Sequence, residues 1–197
     1  MSPRLSTGSP FRLPPWAVRL AGGHQKPIRS SRDRMRFVIR LALTNVVLET
    51  GGPFGAAVFE TATGRLISLG VNLVASAKCS LAHAEMVALA NAHLAVGHFD
   101  LSAPGTLALE LVTSCEPCAM CYGAIPWSGV RNVLCGARAS DASVIGFDEG
   151  SKPRHWVAAL KKRGITVSRD LCRDEAVAVF RRYRQAGGDI YNARKGT

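Results

Sequence analysis

No run of apolar residues in this sequence approaches the roughly 20 that a helix needs to cross a bilayer, although 47% of its 197 residues are hydrophobic. Residues 1–30 contain arginines and prolines but no compact apolar stretch, so a secretory signal is not expected. Acidic side chains are also scarce: the sequence contains 14 Asp and Glu and 25 Lys and Arg. These deficits argue against a membrane protein, and the length is that of one domain with a sizeable core.

Basic residues are nearly missing from the middle of the chain. Residues 41–149 hold four Lys or Arg against nine Asp or Glu, whereas residues 1–40 and residues 150–197 each carry a net charge of +8. An enzyme that guides a phosphate backbone into its pocket is expected to place Lys and Arg near its functional motifs. We therefore do not expect a nucleic-acid partner, and we interpret the two basic ends as a solvated tail and a solvated helix face.

The spacing of apolar residues predicts alternating strands and helices after an irregular start. Residues 1–30 are rich in Pro, Gly, Ser and Arg and are predicted to form an extended or disordered basic arm, partly anchored by Trp16 and Leu20. Residues 31–197 are predicted to form one domain. Helices are expected over 33–47, 83–96, from 117 or 118 to 126, 156–162 and 174–185, strands over 54–60, 66–72, 107–113, 132–136 and 165–168, and a loop over 137–152. This order indicates an α/β/α layered domain in which an opening hairpin makes the sheet mixed.

The cysteines are unevenly distributed. Three of the six fall within seven residues, at positions 115, 118 and 121. Such spacing is typical of metal binding in a reducing compartment rather than of a disulfide framework. We therefore expect a protein of the cytoplasm.

Two short stretches carry the residues expected to do chemistry. His83 and Glu85 open one predicted helix, and Cys118 and Cys121 follow a proline at the start of another. One imidazole and two thiols beside an uncommitted carboxylate suit a catalytic zinc site with one open position. Two helix N-termini that point at one ion also favour the negative charge of thiolates. The sequence thus predicts one zinc ion per subunit, bound by His83, Cys118 and Cys121.

Other roles for these residues remain open at this point. An iron–sulfur cluster would add Cys115 and a fourth thiolate, from Cys79 or Cys135, to the two thiols. A closed structural zinc site would add Cys115 alone. Neither alternative accounts for the His-x-Glu pattern, although Glu85 by itself is also typical of the first turn of a helix.

A zinc site of this kind predicts hydrolytic chemistry. Zinc lowers the pKa of a bound water from about 15.7 to about 7, which makes hydroxide available at neutral pH. We expect Glu85 to take the water proton and pass it to a ring nitrogen as the hydroxide attacks an amino-bearing carbon. Departure of ammonia needs a further proton, which a second acid nearby would help to supply.

The pattern H-x-E followed by P-C-x-x-C resembles that of the zinc-dependent nucleobase deaminases, in the cytidine deaminase-like superfamily, over most of residues 33–197. Three stretches resemble the bacterial guanine deaminases more than the tRNA adenosine deaminases. They are Gly51-Gly52-Pro53-Phe54-Gly55, Thr113-Ser114-Cys115-Glu116-Pro117-Cys118 with Gly123-Ala124-Ile125 after it, and Ile145-Gly146-Phe147-Asp148-Glu149. The resemblance implies a three-layer α/β/α cytidine deaminase-like fold with a central five-stranded mixed sheet.

The same resemblance implies roles for further residues. Glu149 would be the second acid, Asn72 would hydrogen-bond the base, Ala84 would offer a backbone N–H, Phe54 would pack on the ring, and the C-terminal tail around Tyr191 would cover the pocket. Asn72 as a turn residue, Phe54 as a core residue and Glu149 as a solvated loop acid remain alternatives. The superfamily is usually dimeric or larger, so a homodimer is expected.

The activity that the resemblance implies is hydrolysis of guanine, a small nucleobase, to xanthine and ammonia. The main alternative is adenosine deamination in a tRNA anticodon, with the basic ends as phosphate contacts. A guanine-like triazine such as ammeline, guanosine or cytosine is a further possible substrate, and a catalytically silent zinc module is the non-enzymatic alternative. Removal of residues 1–30 is expected to leave turnover of a free base nearly unchanged.

Overall fold

In the computed structural model, which describes residues 11–23, 26–103 and 107–192, five strands form one sheet in the order β2-β1-β3-β4-β5. They are β1 (Gly55–Glu60), β2 (Leu66–Val71), β3 (Leu109–Cys115), β4 (Asn132–Ala137) and β5 (Thr166–Ser168). Strand β1 is antiparallel to both of its neighbours, whereas β3, β4 and β5 are parallel. The predicted mixed five-stranded sheet, with its opening hairpin, is confirmed.

Helices cover both faces of this sheet. The described residues form α1 (Pro15–Gly23), α2 (Ser31–Val47), α3 (Val74–Ala77), α4 (Ala84–Val96), α5 (Ala119–Ser128), α6 (Ala139–Val144), α7 (Trp156–Lys162) and α8 (Arg173–Gln185). Helices α2 and α8 share one apolar cluster with the sheet, and α4, α5 and α7 share the other. Within the described ranges, no helix combines the length and the apolar character that crossing a bilayer requires.

The side chains of β1 explain why the domain has three layers. Successive residues of a strand point to opposite faces of the sheet. Ala57 and Phe59 accordingly join the cluster under α2, whereas Ala56 and Val58 join the cluster under α4. All seven residues of β3 are buried, as expected of a central strand covered on both faces.

Helix α1 corrects the prediction of an extended or disordered arm for residues 15–23. Pro15 stands at the first helical position, where its missing N–H costs no hydrogen bond. Ala17 has no exposed surface, and Trp16 and Leu20 pack against the core cluster of α2, so their predicted anchoring role is confirmed. Residues 1–10 of the predicted arm lie outside the described residues.

Helix α6 corrects the prediction of a loop over 137–152. Its first turn is held by Asp141, whose Oδ2 accepts hydrogen bonds from the backbone N–H of Arg138 and from Arg173 Nε, both at 2.8 Å. The helix has only six residues, too few for an apolar period to appear in the sequence. It leads directly into the Gly146-Phe147-Asp148-Glu149 stretch.

Candidate active site

The fold brings together the N-termini of α4 and α5. His83 is the N-cap residue of α4 and Cys118 that of α5, and neither side chain makes a capping hydrogen bond. Helix α5 therefore begins at Ala119 rather than at 117 or 118 as predicted. The unused cap side chains are available to each other, and His83 Nδ1 lies 3.5 Å from Cys118 Sγ.

Three side chains at this point fit a zinc ion. Besides its contact with Cys118, His83 Nδ1 lies 3.7 Å from Cys121 Sγ, and the three ligand atoms all lie within 4.8 Å of one another. A tetrahedral zinc with ordinary bond lengths would hold a nitrogen and a sulfur ligand about 3.6 Å apart. The predicted ligand set, His83, Cys118 and Cys121, thus matches zinc in both chemistry and spacing.

The alternative metal sites are not supported. Among the described residues, His83, Cys118 and Cys121 form the only group of three or more His, Cys, Asp or Glu side chains close enough to share an ion. Cys115 Sγ instead donates to the carbonyl oxygen of Arg138 at 3.5 Å. Three protein ligands leave the fourth corner of a tetrahedron for water or substrate, as in catalytic zinc sites.

The ligands hold protons that a metal ion would displace. A hydrogen bond from Cys121, assisted by one from His83, lowers the pKa of the Cys118 thiol to about 4. Burial lowers the pKa of the His83 imidazole, but the hydrogen bond and the charge of Cys118 outweigh it, so that this pKa is raised overall. The hydrogen bond with Cys118, followed by burial, raises the pKa of the Cys121 thiol. Zinc binds thiolates and neutral imidazole, so its binding would release the protons of Cys121 and His83, whereas Cys118 is already ionised at neutral pH.

Two carboxyl groups, the buried Glu85 and the half-buried Glu149, flank the ligands. Glu85, in the first turn of α4, is only 6% exposed, and its burial, followed by the charge of Cys118, raises the pKa of its carboxyl. The carbonyl oxygen of Glu149 accepts a hydrogen bond of 2.8 Å from the N–H of Ala119, the first residue of α5. Burial, followed by the charges of Cys118 and Glu85, raises the pKa of Glu149 to about 8. Glu149 can therefore carry a proton at neutral pH.

A cavity of about 210 Å³ opens beside these groups. It is smaller than the pockets that hold drug-sized ligands, and its described lining contains no Lys or Arg. Its walls include these predicted site residues: Phe54, Asn72, His83, Glu85, Cys118, Glu149 and Tyr191. Cys121 has no exposed surface and lies behind the cavity, and buried Ala84 is also outside the lining.

Asn72 lies at the end of β2 and is 1% exposed. Its Oδ1 accepts a hydrogen bond of 3.2 Å from the N–H of Val74, as in a turn, while its N–H donates to the carbonyl oxygen of Phe54 at 3.0 Å. The turn contact uses the oxygen of the side-chain amide, so the Nδ2 donors remain for a ligand in the cavity.

One wall of the cavity is aromatic. The Phe54 ring lies edge-on to Phe147 at a centroid distance of 5.0 Å and also packs on Phe180 at 5.4 Å. Phe147 in turn contacts Tyr191, again at 5.0 Å. Phe54 is therefore both a core residue and a wall residue, so the two interpretations of its role are compatible.

Two residues of the C-terminal tail, Tyr191 and Asn192, line the cavity of the same chain. Asn192 Nδ2 donates to the carbonyl oxygen of Gly146 at 2.8 Å, and its Oδ1 accepts from the N–H of Asp148 at 2.9 Å. These two bonds hold the tail beside the cavity, where Tyr191 is a wall residue whose hydroxyl is buried without a hydrogen-bond partner among the described residues. An unpaired buried hydroxyl is costly, which makes it suited to meet a polar ligand.

Six wall residues were not predicted as site residues. They are Val74, Ser80, Glu116, Phe147, Asp148 and Asn192. Three of them, Glu116, Phe147 and Asp148, fall inside stretches that carry the family resemblance. The sequence could therefore have indicated these three as residues near the site. No local pattern distinguishes Ser80 or Asn192, and Asn192 reaches the cavity through hydrogen bonds with Gly146 and Asp148, which are distant in sequence.

Metal ligands at two helix N-termini, paired carboxyl groups and a small cavity on a three-layer α/β/α domain define a zinc-dependent deaminase. The sequence comparison agrees with this class. The chain belongs to the family described by the cytidine and deoxycytidylate deaminase zinc-binding region, which matches residues 29–137.

Individual relatives show which deaminases the chain is similar to. The solved structure of a guanine deaminase from Nitrosomonas europaea is 44% identical, with a TM-score of 0.88 over 93% of this chain and 100% of that chain. A guanine deaminase of Bacillus subtilis (strain 168) is 36% identical over 115 residues, which are 58% of this chain and 69% of the relative. A tRNA-specific adenosine deaminase of Buchnera aphidicola subsp. Schizaphis graminum (strain Sg) is 33% identical over 116 residues, 58% of this chain and 72% of the relative.

Proposed function

We propose that this enzyme hydrolyses guanine to xanthine and ammonia. The observation that carries the proposal is the cavity itself, which joins the zinc ligands, two carboxyl groups and the amide of Asn72 in a space without a Lys or Arg in its described lining. A neutral free base needs no phosphate contact, so the missing cations fit such a substrate. Similarity over nearly the whole chain to a guanine deaminase, that of Nitrosomonas europaea, supports the same substrate.

The two carboxyl groups divide the proton transfers of the reaction. Zinc, when bound, supplies an acidified water molecule as the nucleophile. Glu85 accepts the proton of that water and delivers it to the ring nitrogen next to the amino-bearing carbon, at which a C–O bond forms. Glu149, protonated at neutral pH, donates to the amino group as its C–N bond breaks and ammonia leaves, and the remaining proton of the added hydroxyl passes back to the Glu149 carboxylate as the new carbonyl forms. Guanine and water thus become xanthine and ammonia.

Four further residues are proposed to hold the base. Asn72 Nδ2 donates to an acceptor on the ring, and Ala84 offers its N–H from the first turn of α4, where backbone donors lack intrahelical partners. Phe54 packs on the ring, and the Tyr191 hydroxyl gains the partner that it otherwise lacks. These contacts orient the amino-bearing carbon toward the zinc ligands.

Adenosine in tRNA is the second candidate, because the Buchnera relative is named for that activity and both ends of this chain are basic. Two features speak against it. The cavity wall lacks cations within the described residues, and the C-terminal residues Tyr191 and Asn192, held by hydrogen bonds of Asn192 with Gly146 and Asp148, form part of that wall. A free base is small enough to bind without displacing these residues, whereas a polynucleotide strand needs a wider path.

A substrate panel tests the proposed function. Ammonia release is measured with guanine, guanosine, cytosine, ammeline and adenosine-bearing tRNA, all at one enzyme concentration and with zinc supplied. We expect guanine to give the largest kcat/KM. Turnover of tRNA without turnover of guanine would overturn the proposal in favour of the second candidate.

We also propose that the enzyme acts as a homodimer in the cytoplasm, where its six free thiols stay reduced.

The proposed dimer has a candidate interface. A groove of about 250 Å³ between α4 and α5 is lined by Met86, Leu89 and Trp127 among others, and Trp127 is 84% exposed. Exposed apolar surface of this kind marks interaction sites. We expect sedimentation equilibrium to give twice the 21.0 kDa chain mass and Trp127→Glu to give the single chain mass. A wild-type monomer at assay concentration would contradict the dimer.

A further inference from the structure

Behind the wall of the cavity lies a buried amide that no motif indicated. Asn45, on α2, has no exposed surface. Its Nδ2 donates to two backbone carbonyl oxygens, those of Gly52 and Asn72, each at 2.9 Å. One side chain thereby ties the turn after α2 to the end of β2, the two segments that form one side of the cavity.

We propose that Asn45 is a positioning residue for Asn72, and that Thr50 and Trp16 extend this role to helix α1. The inference rests on the proposed function, in which Asn72 binds the base. If Asn45 has this role, helix α1 influences substrate affinity although it lies outside the cavity.

The backbone of Asn72 is held from both sides. Asn45 fixes its carbonyl oxygen, Phe54 accepts from its N–H, and Val74 donates to its Oδ1. A Cβ atom on Gly51 would lie 1.9 Å from the Asn72 carbonyl oxygen, so the two backbones approach more closely than any side chain allows. With these ties in place, only the Nδ2 group of Asn72 is left for the ligand.

The second carbonyl oxygen that accepts from Asn45 belongs to Gly52, against which Tyr191 of the C-terminal tail packs. A Cβ atom on Gly52 would lie 2.3 Å from the hydroxyl oxygen of Tyr191. Displacement of Gly52 would therefore move the surface against which Tyr191 packs. Asn45 thus supports two of the proposed base contacts, Asn72 directly and Tyr191 through Gly52.

A chain of hydrogen bonds continues outward from Asn45. Its Oδ1 accepts from Thr50 Oγ1 at 2.7 Å, and Thr50 Oγ1 accepts from Trp16 Nε1 at 3.0 Å. A hydroxyl can accept one hydrogen bond while donating another, so the chain runs from Trp16 through Thr50 and Asn45 to Asn72 with every donor used in sequence. Successive bonds of this kind polarise and strengthen one another.

This chain changes the expectation for the N-terminal segment. Removal of residues 1–30 was expected to leave turnover nearly unchanged, on the premise that they form an arm remote from the pocket. Trp16 lies within that segment, three hydrogen bonds from Asn72. We now expect its loss to weaken binding of the base.

The test measures KM and kcat for guanine in full-length variants. Asn45→Asp keeps the shape and the acceptor for Thr50 but removes both donors, and leaving buried groups unpaired predicts an increase in KM of about 5- to 100-fold. Thr50→Val and Trp16→Phe each remove a more distant bond and are expected to raise KM about 2- to 10-fold. Zinc content should stay near one per chain in all of them.

A matched control is available on α4. Asn91 Nδ2 donates to the carbonyl oxygen of Leu69 at 3.5 Å, so it also joins a helix to β2, but it is outside the cavity lining. Asn91→Asp is expected to leave KM unchanged. Because Trp16 and Thr50 act through one chain, the double variant should raise KM by less than the product of the two single effects.

Binding is measured separately, since KM equals the dissociation constant only when chemistry is slow. Guanine affinity is compared between Glu85→Gln and Glu85→Gln combined with Thr50→Val, two proteins in which turnover is expected to be slow enough for binding to be measured. Thr50→Val also replaces Asn45→Asp as the main test if the latter does not fold. We expect weaker guanine binding in the combined variant.

A purely structural role predicts a different result. It would lower the melting temperature and the active fraction while leaving the KM and the guanine affinity of the folded enzyme unchanged, and that result would overturn the inference. If the wild type deaminates another base of the panel instead of guanine, the same variants are measured with that base. Failure of the proposed substrate and failure of this inference are then distinguishable.

Discussion

Replacement of Glu85 by Gln is expected to lower kcat for guanine by about 10²- to 10⁴-fold, the usual contribution of a positioned acid–base group. The amide has nearly the same volume but cannot take up the proton of the attacking water. Zinc content should remain near one per chain, because Glu85 is not a member of the ligand group. Ammonia release at saturating guanine and elemental analysis of the same sample measure the two quantities.

Two cysteine variants calibrate the metal measurement. Cys118→Ser removes a ligand and should bring zinc well below one per chain. Cys79→Ser removes a thiol outside the ligand group and should leave zinc unchanged. Loss of zinc in Glu85→Gln would identify Glu85 as a ligand, and full activity with full zinc would mean that another group takes the proton.

Replacement of Glu149 by Gln is expected to reduce kcat by about 10²-fold and to change its dependence on pH. The pKa of Glu149 is raised to about 8, mainly by burial. The protonated acid is therefore present below that pH and is lost as the pH rises through it, so wild-type activity should fall on the alkaline side. The variant has no such proton to lose, and its residual rate should stay level there.

A pH–rate profile from pH 6 to pH 10, taken at saturating guanine, separates this role from a structural one. Asp174→Asn, an exposed acid on α8, serves as the charge-matched control and should keep the wild-type profile. Wild-type kcat in Glu149→Gln would remove Glu149 from the proposed mechanism. A lower kcat with the alkaline fall intact would assign that titration to another group.

Strong local patterns made most of the fold predictable from sequence. The Thr61-Ala62-Thr63-Gly64 turn between two apolar runs predicts the hairpin, and β1 pairs with β2 as expected. Helix α1 was missed because it is short and lies within residues 1–30, whose overall composition, rich in Pro, Gly, Ser and Arg, resembles that of a linker. Its apolar side is buried only by contact with the core formed by α2 and the sheet, which no local pattern reveals.

The metal ligands were predictable because His83 lies two residues before Glu85, and Cys118 three residues before Cys121, each at a helix start. The residues that complete the site depend on contacts between distant parts of the chain. Asn45 and its partner Asn72 are 27 residues apart, and Asn192 and its partner Gly146 are 46 apart. Asparagine is also common in turns and at helix ends, so its identity alone indicates no such contact.

The zinc ligands and the opposite wall of the site belong to parts of the fold that differ in local stability. His83 and Cys121 are held by helices packed on the sheet, whereas Trp16 and Tyr191 belong to the terminal segments that brace the opposite wall. Terminal segments open at a lower free energy than core elements. Under mild denaturation, the protein should consequently lose its affinity for the base while the three zinc ligands are still in place. An inactive species that retains zinc should therefore precede global unfolding.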